Sequence, residues 1–458
     1  MSRHFDAIII GGGQAGPSLA GRLTQAGQTV ALIERKHLGG TCVNTGCKPT
    51  KTMVASAYAA HLARTGTRYG VEFGGPVTVD MKAVKARKDK VTLESRKGLD
   101  DWVGGMKGCT LFRGHARFIS PHEVDVGGET LSADRIFLNV GGRANIPDMP
   151  GIGDISYLTN VSMMELDVLP RHLVVVGGSY IGLEFAQMFR RFGSQVTIVE
   201  KGPSLVGRED EDVSDAIRGI LENEGIGLRL KAECISFAQH ADGVAVNVDC
   251  DDGDRMVVGS HVLLAIGRTP NTDDLGLEVA GVATDKRGHV VVDDQLRTSV
   301  PHIWAMGDCN GKGAFTHTAY NDFEIVAANL LDNDPRKVSD RLSAYALYID
   351  PPLGRCGMSE AEARSSGRSI LVGTRPMSQV GRAVEKGETQ GFMKIVADAD
   401  TKEILGAAIL GTTGDEVVHG ILDLMYAKAP YTVLQRAVHI HPTVSELLPT
   451  VIAEMKPV

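Results

Sequence analysis

At 458 residues, 43% hydrophobic and 23% charged, the chain is long enough for about three domains with sizeable cores, in the composition of an ordinary soluble protein. A formal net charge of -8 without a concentrated basic run excludes a general nucleic-acid binder. No uninterrupted apolar segment reaches bilayer-spanning length, and seven widely scattered cysteines do not make a secreted disulfide framework.

The first ten residues carry a short apolar core interrupted by Asp6 and followed at once by glycines. That reads as a buried strand over Phe5 to Ile10 and not as a signal sequence, so a cytoplasmic protein is expected. Gly11-Gly12-Gly13-Gln14-Ala15-Gly16 is a G-x-G-x-x-G turn, followed by a helix to about Ala26 and a strand ending at Glu34. Such glycines let backbone amides and a helix N-terminus meet a pyrophosphate, while the acidic residue accepts from ribose hydroxyls. Alone the glycine pattern is often only a tight turn; the flanking strands and Glu34 raise it above that.

The stretch Gly39 to Lys51 holds Cys42 and Cys47, five positions apart. Five helical residues rise roughly 7.5 Å, whereas a disulfide wants Cα atoms closer than about 7 Å. If the two sulfurs bond, the backbone between them must be irregular, and Gly46 suits that role. Pro49 fits the first turn of a following helix, which puts Cys47 near a helix N-terminus that favours thiolate. Lys51, four residues on, shares its face. A redox-active disulfide beside a fixed lysine is the expectation. The pair could instead be half a zinc site, but no second closely spaced cysteine pair completes one.

A β-rich region ends in Ile136 to Arg143, and Pro147 to Gly151 reads as a domain crossing. The first unit then returns: strand His172 to Val176, turn Gly177-Gly178-Ser179-Tyr180-Ile181-Gly182, a helix, and strand Gln195 to Glu200. Gly11 with Gly177, Gly16 with Gly182, Gly27 with Gly193 and Glu34 with Glu200 all match at one offset of 166, so two dinucleotide sites are the simplest reading. Arg208 to Asp212 reads as a solvated turn and helix start, with Arg208 in reach of a cofactor phosphate. Val262 to Asn271 is a second strand-to-turn segment, and Ile303 to Asp308 a short strand ending in Gly-Asp. From about Ser339 the texture becomes α+β, with strands at Tyr345 to Ile349, Phe392 to Val396 and Ile404 to Leu410. Helices are expected at Ser359 to Ser366 and Asp415 to Ala427. Cys109, Cys234, Cys250, Cys309 and Cys356 read as small buried hydrophobes.

With both glycine turns and Gly40-Thr41-Cys42-Val43-Asn44-Thr45-Gly46-Cys47 in hand, the chain resembles the FAD-dependent pyridine nucleotide–disulfide oxidoreductases. That family includes lipoamide dehydrogenase, glutathione reductase and mercuric reductase. Ala265 to Asn271, Trp304 to Asp308 and His439 to Glu446 also fit it, in the right order. The resemblance implies an α/β fold: two Rossmann-like dinucleotide-binding domains, for FAD and NAD(P), plus a C-terminal α+β dimerisation domain. The expected division is 1–147 and 268–338 for FAD, 148–267 for the nicotinamide nucleotide and 339–458 for the interface.

By the same resemblance, Glu34 holds the adenosine ribose of FAD, Asp308 meets the ribityl chain and the backbone around Ala116 approaches the adenine. Further cofactor contacts are implied at Gly11, Gly13, Gly16, Gly40, Thr41, Gly141, Gly177, Ile181, Gly182 and Gly267. Lys51 lies near the flavin and pairs with Glu184, as a buried lysine requires. Tyr180 is an aromatic lid over the nicotinamide pocket, or simple packing. Cys47 faces the flavin and Cys42 attacks substrate. His441, oriented by Glu446 and donated by the partner subunit of an obligate homodimer, supplies the proton; taken alone it reads as a core histidine. Glu200 favours NADH, with Lys201 and Arg208 near enough to leave NADPH open. Lys48 either lowers a thiolate pKa or is solvated.

Gly207 to Asp210 and Pro351 to Ser359 look like the mercuric-reductase-like and reactive-chlorine-resistance branch. The chain has no cysteine after Cys356, where mercuric reductases commonly keep a soft C-terminal pair. The expected function is therefore an NAD(P)H:disulfide reductase of a small-molecule substrate. The alternatives are a mercuric or cupric ion reductase and, from another class, a non-catalytic flavoprotein redox sensor. No membrane or nucleic-acid partner is expected.

Overall fold

The computed structural model describes residues 2–249 and 255–458; Cys250 lies outside them. The first unit comprises β1 (Arg3–Ile10), α1 (Ala15–Gln25), β2 (Val30–Glu34), α2 (Gly40–Asn44), α3 (Cys47–Thr65), α4 (Met81–Gly104), β3 (Cys109–Arg113), β4 (Ala116–Ser120), β5 (Glu123–Val126) and β6 (Glu129–Leu138). Its sheet runs β3-β2-β1-β6-β5-β4. The pairs β3-β2, β2-β1 and β1-β6 are parallel, whereas β5 and β4 fold back antiparallel. Ile8 and Ile10 of β1 pack on one face with Ile136, Leu138 and Phe118. Ala7 and Ile9 pack on the other with Leu19 and Leu23 of α1. Burial on both faces explains why β1 is a continuous apolar run.

The chain leaves this unit through β7 (Gly142–Ala144) and α5 (Asn160–Met163). The second unit follows with β8 (His172–Val176), α6 (Tyr180–Phe192), β9 (Gln195–Val199), α7 (Glu211–Asn223) and β10 (Gly227–Arg229). An antiparallel sheet of β11 (Glu233–His240), β12 (Gly243–Asp249) and β13 (Met256–Gly259) precedes the last parallel strand, β14 (His261–Leu264). The parallel order is β10-β9-β8-β14. The chain returns through β15 (Arg268–Pro270), which pairs antiparallel with β7. After α8 (Leu277–Ala280), β16 (Ile303–Ala305) rejoins the first sheet beside β6, and α9 (Thr316–Ala327) packs on α1.

The C-terminal part holds β17 (Ala344–Leu347), β18 (Leu353–Gly357), α10 (Glu360–Ser365), β19 (Ile370–Pro376), α11 (Gly381–Glu385), β20 (Phe392–Asp398), β21 (Ile404–Leu410), α12 (Gly414–Tyr426), α13 (Tyr431–Arg436), α14 (Leu448–Ala453) and β22 (Lys456–Pro457). They build one antiparallel sheet, β17-β18-β21-β20-β19-β22. Its core gathers Ile395, Ile409, Ile421 and Val451. No helix among the described residues is long and apolar enough to cross a membrane.

Candidate active site

The cysteine stretch is two helices with a break between them. Cys42 lies in α2, and the chain leaves helical geometry at Thr45 and Gly46 before Cys47 opens α3. A Cβ on Gly46 would stand 2.9 Å from the Thr41 carbonyl oxygen, so the break needs glycine for space. The α2 turn is anchored by Asn44, which donates to the carbonyls of Leu38 (2.9 Å) and Gly40 (2.8 Å) and accepts from Arg96 Nε (2.9 Å). Gly39 N–H donates to the Gly12 carbonyl at 2.7 Å, which seats the cysteines against the first glycine turn.

Both cysteines are free thiols here. The Cys42 thiol hydrogen-bonds to Cys47, and the pair titrates as a unit. Cys47 is lowered to about 6 by that bond above all, against burial, with help from the Thr316 hydroxyl and the Lys51 charge. Cys42 is driven far upward by the same bond and by burial, while Lys48 opposes the rise. Thr316 Oγ1 stands 3.2 Å from Cys47 Sγ. It is the first residue of α9, and no motif marked it in the sequence. Lys51 Nζ pairs with Glu184 Oε2 at 2.5 Å and lies 4.4 Å from the Tyr348 ring centroid. The other carboxylate oxygen accepts from Tyr348 N–H at 3.1 Å. Lys48 is exposed and donates to Ser95 Oγ at 2.9 Å, so it is both tethered and electrostatically felt.

The two glycine turns repeat each other in atomic detail. Gly11 has φ 110° and Gly177 φ 113°, a region L side chains rarely adopt. A Cβ at either would meet a backbone oxygen, Asn139 O at 2.2 Å or Ala265 O at 2.4 Å. Glu34 accepts from Gly12 N–H (2.8 Å) and Lys36 N–H (2.7 Å); Glu200 accepts from Gly178 N–H (2.5 Å) and Gly202 N–H (2.6 Å). Each carboxylate therefore shapes its own loop before any ligand arrives. Neither α1 nor α6 has a side-chain cap or an acidic residue in its first turn, which leaves two helix N-termini ready for anions.

Asp308 Oδ2 accepts from Arg268 Nη2 at 3.2 Å, and that nitrogen also reaches the Gly142 carbonyl at 2.6 Å. The Gly307–Asp308 turn is fixed by buried Asp322, which accepts from Gly307 N–H and Asn310 Nδ2 at 2.8 Å each and pairs with Arg341. Ala116 is buried at the start of β4, and Gly114 N–H donates to the Glu34 carbonyl at 3.1 Å, so this loop meets the end of β2. Gly141 and Gly267 face open space. Gly40 stands against Gly13, Gly16 packs on Gly11 early in α1, Thr41 lies in α2, and Ile181 and Gly182 lie in the first turn of α6.

Two sequence expectations need correction. Arg208 to Asp212 is not wholly solvated: the Glu209 side chain is 1% exposed and Asp210 8%, because each finds a buried cation. Glu209 faces Arg355 at 3.4 Å, and Asp210 faces Lys394 at 3.5 Å while capping the N-terminus of α10 through Glu360 and Ala361 N–H. Cys234 is exposed on β11, and Cys109 is only partly buried; Cys309 and Cys356 are buried as expected. The Tyr180 hydroxyl donates to Glu209 Oε1 at 3.0 Å.

His441 Nδ1 meets Glu446 Oε2 at 2.8 Å with its side chain 80% exposed. The single chain thus assembles two separate pairs. Among the described residues no hydrogen bond or ion pair joins His441–Glu446 to Cys42–Cys47.

Two parallel nucleotide folds, a close thiol pair between them and an antiparallel C-terminal sheet define a class. The chain belongs to the pyridine nucleotide-disulphide oxidoreductases: that family's model matches residues 5–322 and its dimerisation domain residues 343–452. These are FAD-dependent enzymes that use a pyridine nucleotide, and the match to their dimerisation domain points to a homodimer. The chain is 35% identical to the probable pyridine nucleotide-disulfide oxidoreductase RclA of Escherichia coli, over 97% of this chain and 98% of that protein. It is 32% identical to a Thermus scotoductus dihydrolipoyl dehydrogenase (97% and 96% covered) and 31% to a Bacillus cereus mercuric reductase (93% and 69% covered). The solved RclA, described as a HOCl-induced flavoprotein disulfide reductase, superposes with a TM-score of 0.89 over 98% of this chain and 99% of that one. Its copper(II) complex does so with a TM-score of 0.90.

Proposed function

We propose that Cys42 and Cys47 are the working dithiol of an NAD(P)H:disulfide reductase whose substrate is a small disulfide, with NADH the favoured electron source. The observation that carries this reading is the Cys47 sulfur. It lies at a helix N-terminus with the Thr316 hydroxyl at 3.2 Å and the Lys51–Glu184 pair nearby, so it is held as a thiolate.

The donor set fits the two nucleotides. The uncapped α1, Glu34, Asp308 and the peptide around Ala116 would hold FAD; the uncapped α6, Glu200 and Tyr180 would hold the nicotinamide nucleotide. When bound, these groups supply the electron pair that returns oxidised cysteines to thiols. Glu200 supports NADH, because a carboxylate accepts from a ribose hydroxyl and repels a 2′-phosphate. Lys201 and Arg208 soften that preference.

The rest falls to the chain's own residues. In the single chain the remaining proton of the pair sits on Cys42, so Cys42 needs a base before it can attack. His441, exposed and oriented by Glu446, fits that need when it comes from the second subunit. The Cys42 thiolate attacks one substrate sulfur, the substrate S–S bond breaks, and the expelled thiolate takes the proton from His441. The Cys47 thiolate then attacks the Cys42 sulfur, forms the Cys42–Cys47 bond and releases the second substrate thiolate. Two electrons have passed from the cysteines to the substrate.

A second reading, metal-ion reduction by the same thiols, is favoured by the copper(II) complex of the similar E. coli protein and by the mercuric reductases among the relatives. One screen separates the two: oxidation of NADH and NADPH against lipoamide, glutathione disulfide, Hg(II) and Cu(II), with wild type and Cys42→Ser. Disulfide turnover lost in Cys42→Ser supports the reading; disulfide turnover retained in that variant refutes it.

A further inference from the structure

Lys48 follows Cys47 directly, in the first turn of α3. It meets α4 across the seam between the two helices, where its Nζ donates to Ser95 Oγ at 2.9 Å. Two helical turns back along α4, about 12 Å, Arg87 Nη1 donates across the same seam to the Thr52 carbonyl at 2.6 Å and to Ser56 Oγ at 3.3 Å. Arg96, next to Ser95, donates through Nε to Asn44 Oδ1 at 2.9 Å, two residues beyond Cys42. Lys48 and Arg87 are both exposed.

Among the described residues none of these three cations pairs with a carboxylate; each is held by a neutral oxygen. The carboxylates of α4 are taken by other cations: Asp89 by Lys85 and Lys88, Glu94 by Lys90, Asp100 by Arg113 and Asp101 by Lys97. The chain carries a net charge of -8, yet the wall beside its working thiols is left with a row of uncompensated positive charge. That charge reaches the dithiol, because Lys48 opposes the upward drive on Cys42. A neutral oxygen holds a cation less tightly than a carboxylate does, so an anionic ligand can draw Lys48 and Arg87 off their tethers.

We propose that Lys48 and Arg87 set the substrate class: the seam between α3 and α4 receives the carboxylates of an anionic small disulfide and leads its S–S bond to Cys42. This rests on the reading of Cys42 and Cys47 as a disulfide-reducing pair made above. Lys48 meets the carboxylate nearer the reacting sulfurs, and Arg87 the end of the molecule further along the seam. The lysine charge also offsets the repulsion that an incoming anion meets at a thiolate, which otherwise disfavours negatively charged disulfides.

The test compares kcat/KM of the FAD-loaded enzyme, with NADH in excess, for dithiodipropionate (dianionic), hydroxyethyl disulfide (neutral) and cystamine (dicationic). The intrinsic reactivity of each disulfide cancels when a variant's ratio is divided by that of the wild type. Lys48→Gln and Arg87→Gln are each expected to lower the dianion-to-neutral ratio by about threefold, mainly through KM, and to raise the dication-to-neutral ratio. Added salt should bring the wild-type ratio down toward that of the variants. A lysine that acted only on the Cys42 sulfur would change all three disulfides by one factor and leave the ratios alone. Either variant keeping the wild-type ratios overturns the proposal, and turnover of the neutral disulfide then leaves the disulfide-reductase reading standing. A wild-type enzyme that reduces none of the three overturns that reading and the proposal with it.

Discussion

Replacing Thr316 with valine keeps a branched side chain at the start of α9 and removes the hydroxyl 3.2 Å from Cys47 Sγ. A hydrogen bond to a charged group contributes about 1.5–3 kcal/mol, and about 1.4 kcal/mol corresponds to one pKa unit. Cys47 is open to solvent in the single chain, so screening brings the effect to the lower end, about one unit. The first ionisation of the dithiol, at about 6 in the parent, should then move upward. A depressed thiol gains its thiolate as pH rises through that value and loses it below. At neutral pH a larger share of Cys47 is therefore ionised in the parent than in the valine variant. Titrating the ultraviolet thiolate absorbance of the reduced protein, with Cys47→Ser as baseline, reads the midpoint directly. The acid limb of disulfide turnover should shift by the same amount. A midpoint that stays at the parent value refutes the role given to Thr316.

Mixed dimers of Cys42→Ser and His441→Ala subunits, each inactive alone, should recover roughly a quarter of native turnover if the histidine crosses the interface, since half of the randomly paired dimers then contain one intact site; a histidine serving its own chain would restore none. Lys51→Met leaves Glu184 buried without its 2.5 Å partner and should cost about 3 kcal/mol in chemical unfolding, with the Cys47 midpoint moved up; an unchanged midpoint would show that the lysine charge does not reach the sulfur. Gly46→Ala forces a Cβ to within 2.9 Å of the Thr41 oxygen and should lower stability by about 1–3 kcal/mol, visible as a drop in Tm. Lys394→Met removes the one cation shared by Asp210, Asp212 and Glu360, and should loosen the second unit from the C-terminal sheet, read as faster hydrogen exchange in α10.

What the sequence disclosed was whatever is local. The glycine turns, the acidic strand ends and the cysteine break are each decided within about twenty residues, and the repeat at an offset of 166 made the first two unmistakable. The Lys51–Glu184 pair was legible only through family resemblance, since its members lie 133 positions apart. Thr316 carried no signal, and Tyr345 and Arg355, though inside a predicted strand and a branch-like stretch, gave no sign of facing Glu209, because each matters through a partner supplied by another segment. The charge run at Arg208 to Asp212 misled for the same reason: a buried carboxylate and a solvated one look alike until the lysine or arginine facing it is known. Cys234 stands at the irregular start of β11, where the pairing with β12 shifts register between Glu233 and Ser236 and Cys234 takes φ 52°, so it does not join Phe237 and the valines buried along that sheet.

With NADH the proposed electron source, Glu200 bears on any attempt to re-engineer the enzyme for NADPH. Swapping the acidic residue at this strand end for a neutral or basic one is the obvious route, yet its two oxygens are already occupied by the amides of Gly178 and Gly202. A replacement that cannot accept both would change the shape of the turn that receives the pyrophosphate before it changed the nucleotide's charge preference. Lys201 and Arg208 already place positive charge beside that loop, and adding further cations next to them, with Glu200 kept, is where a switch of nucleotide should begin.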